Sequence, residues 1–297
     1  MPGVVSIGSY AFANCESLTG ISIPAGVREI KNFAFKDCKN LESVDVDPKN
    51  TYYSSQDGIL FDKQKTKLLL YPAGKTSKYY KVPDSVQEIQ GYSFEYGRPS
   101  ALDIPASVKT IGEWAFHDCY DLTQVLLPDG LTSINVGLFG GCSSLSEVYI
   151  PASVTGISVF AFSGCDKLEK VYYGGSQSQW EAVSIGSVND ALLNAEIVCD
   201  SPPQSLTPIP MEIADMTVSD DAVSVTLDGT PQEGAFLFVT LWDADGKFLC
   251  AGCRDALFGT NSVAVSTKDA ATVAAILTDA DFAPLCPKLS RIRSASE

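Results

Sequence analysis

Residues 105–127 read PASVKTIGEWAFHDCYDLTQVLL, 128–150 read PDGLTSINVGLFGGCSSLSEVYI and 151–173 read PASVTGISVFAFSGCDKLEKVYY, so the chain repeats itself every 23 residues. Stretches 1–23 and 24–46 keep the same register, and 83–104 keeps it with one residue lost. A period of this size marks stacked supersecondary units, none of which can bury its apolar face alone. Within the copy that opens at Pro24, the apolar positions are Val27, Ile30, Phe33, Ala34, Phe35, Cys38, Leu41, Val44 and Val46. Leu41, Val44 and Val46 form L-x-x-V-x-V, whose last two apolar members alternate as a half-buried strand requires. Stacked copies of that strand give a parallel sheet, and the proline that follows ends each strand because it has no N–H to extend the ladder.

The run from Ile104-Pro105 through Gly112, Ala115, Phe116, Cys119, Leu122 and Val125 resembles the BspA-like leucine-rich repeats, and the likeness extends over roughly the first 200 residues. That resemblance implies an α/β-type leucine-rich repeat solenoid: mostly β, right-handed, with a parallel concave sheet and few helices. It also implies a bacterial surface or secreted protein with an adhesive role.

Two stretches leave the repeat. Residues 47–82 carry β-like runs at Ile59–Phe61 and Leu68–Tyr71 around the polar segment Asp62–Lys67, which predicts a β-hairpin insertion. Tyr71-Pro72 and Val82-Pro83 copy the apolar-then-proline ending, so the insertion is expected to feed a strand into the sheet. Residues 174–199 hold two capping-box patterns, Ser176 with Gln179 and Ser187 with Asp190, and predict two short helices and a last strand near Ala195–Cys199 as a C-terminal cap. At the other end Met1-Pro2-Gly3 opens straight into a repeat, so either upstream coils belong to the natural protein, the reading we favour, or the first coil leaves a bare edge for pairing with another chain. The solenoid domain is thus read as residues 1–199. Residues 200–211 form a Pro-rich linker. Residues 212–297 show short alternating runs at Ala222–Leu227, Ala235–Trp242, Lys247–Leu249, Ser262–Val265 and Thr272–Leu277, the pattern of a small all-β, Ig-like sandwich.

Charge narrows the partners. The chain holds 36 acidic and 21 basic residues, and a field of that sign opposes nucleic acid and anionic lipid surfaces. No apolar run approaches the length of a membrane span, so no membrane insertion is expected.

Candidate chemistry is sparse. Cys15, Cys38, Cys119, Cys142 and Cys165 share one repeat offset, and Gly97 breaks the series. Equivalent Cβ atoms in stacked coils lie about 4.8 Å apart and point the same way, which does not suit a disulfide. These cysteines read as small buried hydrophobes, more natural to an anaerobic or protected setting than to an oxidising one. Cys250 and Cys253 form a C-x-x-C pair and Cys286 lies nearby in sequence, yet the chain's one histidine, His117, is in the other domain, so a four-ligand metal site is not assembled. Asp243-Ala-Asp245-Gly246 opens like a calcium loop, but Arg254 stands where the twelfth-position glutamate belongs, and a hairpin turn explains it better. His117 occupies an offset held elsewhere by Ala13, Lys36, Gly140 and Ser163, which reads as a surface position. Without a second histidine no hydrolytic pair forms. The sequence therefore assigns no catalytic residue, cofactor or metal, and the chain reads as a non-enzyme.

The remaining candidate is the sheet face turned away from the core. One outward row reads Ser22, Asp45, Asp103, Leu126, Tyr149, Tyr172, and a second reads Gly20, Ser43, Ala101, Gln124, Glu147, Lys170. The first row ends in a Leu-Tyr-Tyr stripe expected to be exposed, and aromatic residues on such a face are typical interface anchors. Leu126, Tyr149, Tyr172, Gln124 and Glu147 are thus the expected ligand-binding residues, for a protein or glycan partner at the cell surface or outside the cell. The rival reading places carbohydrate or cell-wall binding in the C-terminal sandwich, with the solenoid as spacer.

Overall fold

The computed structural model describes residues 3–201 throughout and, beyond them, the backbone of seven strands between Glu212 and Ile292. The chain divides into two compact units, Met1–Thr207 and Pro208–Glu297.

The first unit is a stack of coils. Six strands, Tyr79–Lys81, Ala101–Asp103, Gln124–Leu126, Glu147–Ile150, Lys170–Tyr173 and Glu196–Val198, pair in parallel in chain order. Their register is the repeat itself: Leu102 lies beside Val125, Val125 beside Val148, and Val148 beside Val171. Short two-residue strands such as Thr110–Ile111 and Ser133–Ile134 pair on a second side of the coil. Between them runs one continuous core in which Leu122, Leu145 and Leu168 and the phenylalanines 94, 116, 139 and 162 are buried. The phenylalanine rings stack in file at 5.2, 5.5 and 5.3 Å between centroids. Such ring pairs add about 0.5–1.5 kcal/mol each beyond the apolar area they bury.

The cysteine row is a hydrogen-bonded ladder. Cys119, Cys142 and Cys165 each donate their thiol to a phenylalanine carbonyl of the preceding coil at 3.1 Å, and Cys38 does so at 2.9 Å. All five repeat cysteines are free. Burial raises the pKa of the Cys142 and Cys165 thiols, which keeps them protonated and able to donate. A thiol fits here because it fills a small apolar site and still satisfies a carbonyl.

Each coil turns two corners through left-handed backbone. One set of corners is Tyr10, Phe33, Tyr92, Trp114, Gly137 and Phe160, with φ between 57° and 63°; the other is Asn14, Asp37, Tyr96, Asp118, Gly141 and Gly164, with φ between 56° and 78°. The second set is nearly all Asn, Asp or Gly, the residues that tolerate this region. The first set is nearly all aromatic, against that preference. The apolar residues of this set are not fully buried: Tyr10 and Phe160 are exposed, and Phe33, Tyr92 and Trp114 are half-buried.

The stack is interrupted after Val46. Strands Tyr53–Gln56, Ile59–Asp62 and Lys67–Leu70 form an antiparallel meander, one strand more than a hairpin. The run before Pro72 does not join the six-stranded sheet; it pairs with Glu88–Ile89 on the other side. The sheet does receive Tyr79–Lys81, the run that leads to Val82-Pro83, as the second of the two endings implied. Buried Asn50 secures the junction: its amide donates to the Pro24 and Val27 carbonyls, each at 2.9 Å, and its oxygen accepts from Tyr52 and Tyr53 N–H at 2.8 and 2.9 Å.

The far end closes with helices Gln177–Glu181 and Asp190–Asn194. Ser176 and Gln179 form the capping box of the first. The second box is absent: Asn189, not Ser187, is the N-cap of Asp190–Asn194, and its side chain makes no cap hydrogen bond. It is committed to the last coil, donating to Ser158 and Gly186 carbonyls at 2.9 and 2.8 Å and accepting from Phe162 N–H at 2.9 Å.

In the second unit, Glu212–Val218, Ala222–Asp228 and Gly259–Ala264 form one antiparallel sheet, and Phe248–Asp255, Phe236–Trp242, Thr272–Thr278 and Leu289–Ile292 form another. Closure of these sheets into an Ig-like sandwich, the Asp243–Gly246 turn and the chemistry of Cys250, Cys253 and Cys286 lie outside the described residues.

Asn50 and Asn189 each satisfy buried backbone groups on both sides of a break in the repeat, so truncation leaves several of those groups orphaned. Asn50→Ala or Asn189→Ala should lower unfolding stability by roughly 3 kcal/mol, against about 1 kcal/mol for Ser176→Ala, as read from urea midpoints.

Candidate functional site

The outward side chains of the six-stranded sheet form two rows. One runs Tyr79, Ala101, Gln124, Glu147, Lys170, Glu196, and the other Lys81, Asp103, Leu126, Tyr149, Tyr172, Val198. Reading the repeat alone counted Ser22, Asp45, Gly20 and Ser43 in these rows, whereas Gly20–Ile23 and Ser43–Val46 pair in a separate two-stranded sheet. It also omitted the first and last rungs, because Tyr79–Lys81 belongs to the insertion and Glu196–Val198 to the cap. Those rungs bring charge to both ends. At one end Lys81 Nζ lies 4.0 Å from Asp103, which also accepts from the Tyr79 hydroxyl at 3.2 Å. At the other, Lys170 Nζ lies 3.5 Å from Glu196 and 5.9 Å over the Tyr172 ring.

Between these ends the five expected residues are neighbours, but they are not equally exposed. Leu126, Glu147 and Tyr172 are half-buried, whereas Tyr149 retains 4% of its accessible surface and Gln124 9%. The stripe is thus not the continuous exposed aromatic surface that its spacing implied. A physical reason for Tyr149 lies one coil away, where a Cβ on Gly174 would stand 2.6 Å from the Tyr149 hydroxyl. The phenol lies against the turn that follows the next strand, in space that a glycine leaves open. Burial, then Asp129, raises its pKa, so it stays a neutral phenol. The surface offered here is the Leu126 and Tyr172 side chains and the Glu147 carboxylate around a fixed Tyr149.

A second constellation lies at the corners. Tyr10 stacks on Phe33 at 5.3 Å, Phe33 meets Tyr92 edge-on at 5.0 Å, Tyr92 stacks on Trp114 at 6.4 Å, and Trp114 reaches Phe160 at 6.2 Å. The last step skips a coil because Trp114 lies over Gly137, where any Cβ would overlap its ring. Most of these ring faces are turned to one another, so the file acts as packing that offsets the strain of left-handed aromatic residues.

Beneath the file sits an ion-pair knot. The buried Glu95 carboxylate accepts from Lys36 Nζ at 3.1 Å and faces His117 Nδ1 at 3.5 Å; His117 also lies 3.6 Å from Asp118 and meets the Trp114 ring edge-to-face at 5.1 Å. His117 is therefore half-buried between coils and not a surface residue, because its long side chain folds back onto Glu95 where Ala13 and Ser163 have nothing to offer. Burial works against the Glu95 carboxylate, but His117 and Lys36 outweigh it and hold its pKa below the usual value. Among the described residues no cluster of His, Cys, Asp or Glu is arranged to hold a metal, and no helix is long and apolar enough to cross a membrane.

A family model described as the BspA type leucine-rich repeat region matches in six copies, over residues 2–62 and 73–184. Several solved structures are similar, and two of them illustrate the likeness. One is a leucine-rich cell surface protein of Faecalibacterium prausnitzii, 27% identical with a TM-score of 0.52, the match covering 62% of this chain and 61% of that one. The other is a leucine-rich repeat protein of Eubacterium ventriosum, 23% identical with a TM-score of 0.52, covering 69% and 65%. The chain thus spans somewhat less than two thirds of the length of these structures. No curated protein matches it.

A carboxyl whose folded pKa is depressed adds stability that is fully present above its unfolded value, near 4.5 for Glu95, and is lost as pH falls through the folded value. Glu95→Gln should therefore lower stability near neutral pH and flatten its decline below about pH 4.5, measured as urea midpoints across that range.

Proposed function

Since the chain belongs to the BspA-type leucine-rich repeat family, we propose that it is a non-enzymatic binding or adhesion protein, secreted or held at the cell surface, that docks a protein or glycan on the outward face of its six-stranded sheet. The observation that carries this reading is the registered row Leu126, Tyr149, Tyr172, which places two half-buried apolar side chains on either side of a fixed tyrosine. Glu147 and Gln124 run parallel to that row, and the Lys81–Asp103 and Lys170–Glu196 pairs stand at its two ends. This is the anatomy of an apolar centre with a polar rim, in which a few anchors supply most of the energy and the rim aligns the partner. The mechanism is burial of the stripe with no covalent step. The surface location draws support from the likeness to the Faecalibacterium protein, itself named a cell surface protein. The acidic balance of 36 against 21 residues adds that nucleic acid and anionic membranes are unfavourable partners.

Leu126 and Tyr172 are the residues to change, because Tyr149 is buried and its loss would disturb the fold. Leu126→Ala with Tyr172→Ala should weaken retention on immobilised extracellular-matrix proteins or cell-wall polysaccharide by about tenfold or more, with the urea midpoint of the double variant confirming that the coils remain stacked. Undiminished retention by the folded variant removes this face as the docking surface.

A further inference from the structure

Coil 83–104 departs from its neighbours at one place. Other coils carry Cys-x-x-Leu, as in Cys38-Lys39-Asn40-Leu41 and Cys119-Tyr120-Asp121-Leu122; here the chain reads Gly97-Arg98-Pro99, one residue shorter. Pro99 is buried in the leucine's place, and Gly97 is buried in the cysteine's. What results is a notch of about 340 Å³ lined by Tyr96, Gly97 and Arg98 of the short coil, Lys39 of the coil before and Tyr120 and Asp121 of the coil after. That volume falls in the range of about 300–1,000 Å³ typical of small-ligand sites.

A second observation singles out the same place. Tyr96 has φ 61° at a corner where Asn14, Asp37, Asp118, Gly141 and Gly164 stand in other coils. A bulky side chain in this region is a strained choice, and such strain gathers at functional sites. Unlike the corner aromatics in the stacked file, Tyr96 packs toward the notch: Lys39 Nζ lies 4.1 Å from its ring centroid and the Tyr120 ring 6.2 Å away. Tyr120 keeps 50% of its surface exposed. Arg98 is exposed and makes no ion pair among the described residues.

We propose that this notch binds a terminal sugar bearing one carboxylate. Each wall has a counterpart in such a ligand. Arg98 presents a planar fork that matches a carboxylate, and Lys39 adds a second cation beside it. Tyr120 gives an apolar platform for the C–H face of a pyranose ring. Asp121 accepts from ring hydroxyls, a task that a bare anion would not need. The charge balance favours a ligand with one acid group: the excess of 36 acidic over 21 basic residues repels a polyanion, whereas in the lining of the notch Arg98 and Lys39 outnumber Asp121. The notch is on the corner side of the coils and not on the outward sheet face, so it stands independently of the docking surface proposed above.

The test titrates the full chain with the methyl glycosides of N-acetylneuraminic acid and glucuronic acid, with methyl glucoside as the neutral control and a short peptide with a free C-terminal carboxylate as the non-sugar control. Saturable binding of at least one acidic glycoside is expected, with the neutral glycoside and the peptide weaker by about tenfold. Arg98→Ala and Tyr120→Ala should each weaken that binding by a similar factor and leave the thermal midpoint unchanged. Tyr96→Asn should raise the thermal midpoint, since asparagine suits the left-handed corner, while weakening the sugar. The proposal is overturned by no saturable binding up to about 10 mM, by equal binding of the neutral glycoside or the peptide, or by full affinity in Arg98→Ala. None of these variants touches Leu126 or Tyr172, so the two surfaces fail or stand separately.

Discussion

The constraint on which the first unit rests is parallel pairing of neighbouring repeat coils at a nearly constant offset of 22 or 23 residues. A strand of three or four residues is too short to be stable alone, and its inward face of one or two valines buries little. Repeated in register, however, it forms a ladder in which backbone groups of adjacent coils pair and most inward side chains meet their own equivalents. The phenylalanine file, the thiol-to-carbonyl ladder and the stacked corner aromatics all follow, because a residue at one offset always stands above the same offset of its neighbour. The cysteines show the chemistry well: one small side chain satisfies the packing of its own coil and a carbonyl of the coil before it, so there is no need for a disulfide.

The distinctive side-chain chemistry gathers where that regularity fails. The insertion after Val46 and the cap after Tyr173 each remove a repeating partner, and at each break a buried asparagine, Asn50 or Asn189, supplies both donors and acceptors to the backbone left behind. The insertion and cap also add the charged rungs at the two ends of the outward sheet face. The missing residue near Gly97 opens the notch. Regular coils thus provide the rigid scaffold, and departures from the repeat provide its chemical individuality.

Much of this was legible in the residues. The period, the strand at L-x-x-V-x-V, the proline stop and the cysteine row, buried except at half-buried Cys15, come from spacing alone, and the solenoid likeness follows from them. The Ser176–Gln179 capping box was also readable, because a cap is a local hydrogen bond between residues three apart. The Ser187–Asp190 pattern misled for the converse reason: Asn189 starts that helix and its side chain answers to Ser158 and Phe162, which lie a coil away in sequence. The spacing marked Phe33 only as apolar, and apolar character does not report backbone conformation: a left-handed corner leaves its ring half-buried. The Tyr96 corner was the readable signal that went unused, since an aromatic among Asn, Asp and Gly at one offset marks an exception.

The sequence by itself determined the rows: which residues share an offset, and therefore which must lie above one another once the coils stack. That is a one-dimensional property, fixed by the period and by the two-residue alternation of a strand. Only the tertiary structure decided how deep each row lies. Tyr149 is buried because Gly174 leaves space a coil away, His117 turns inward because Glu95 waits in the preceding coil, and a notch exists because one coil is shorter than those beside it. Each depends on what the neighbouring turn of chain places within a few ångströms, and exposure is a property of that neighbourhood and not of the residue.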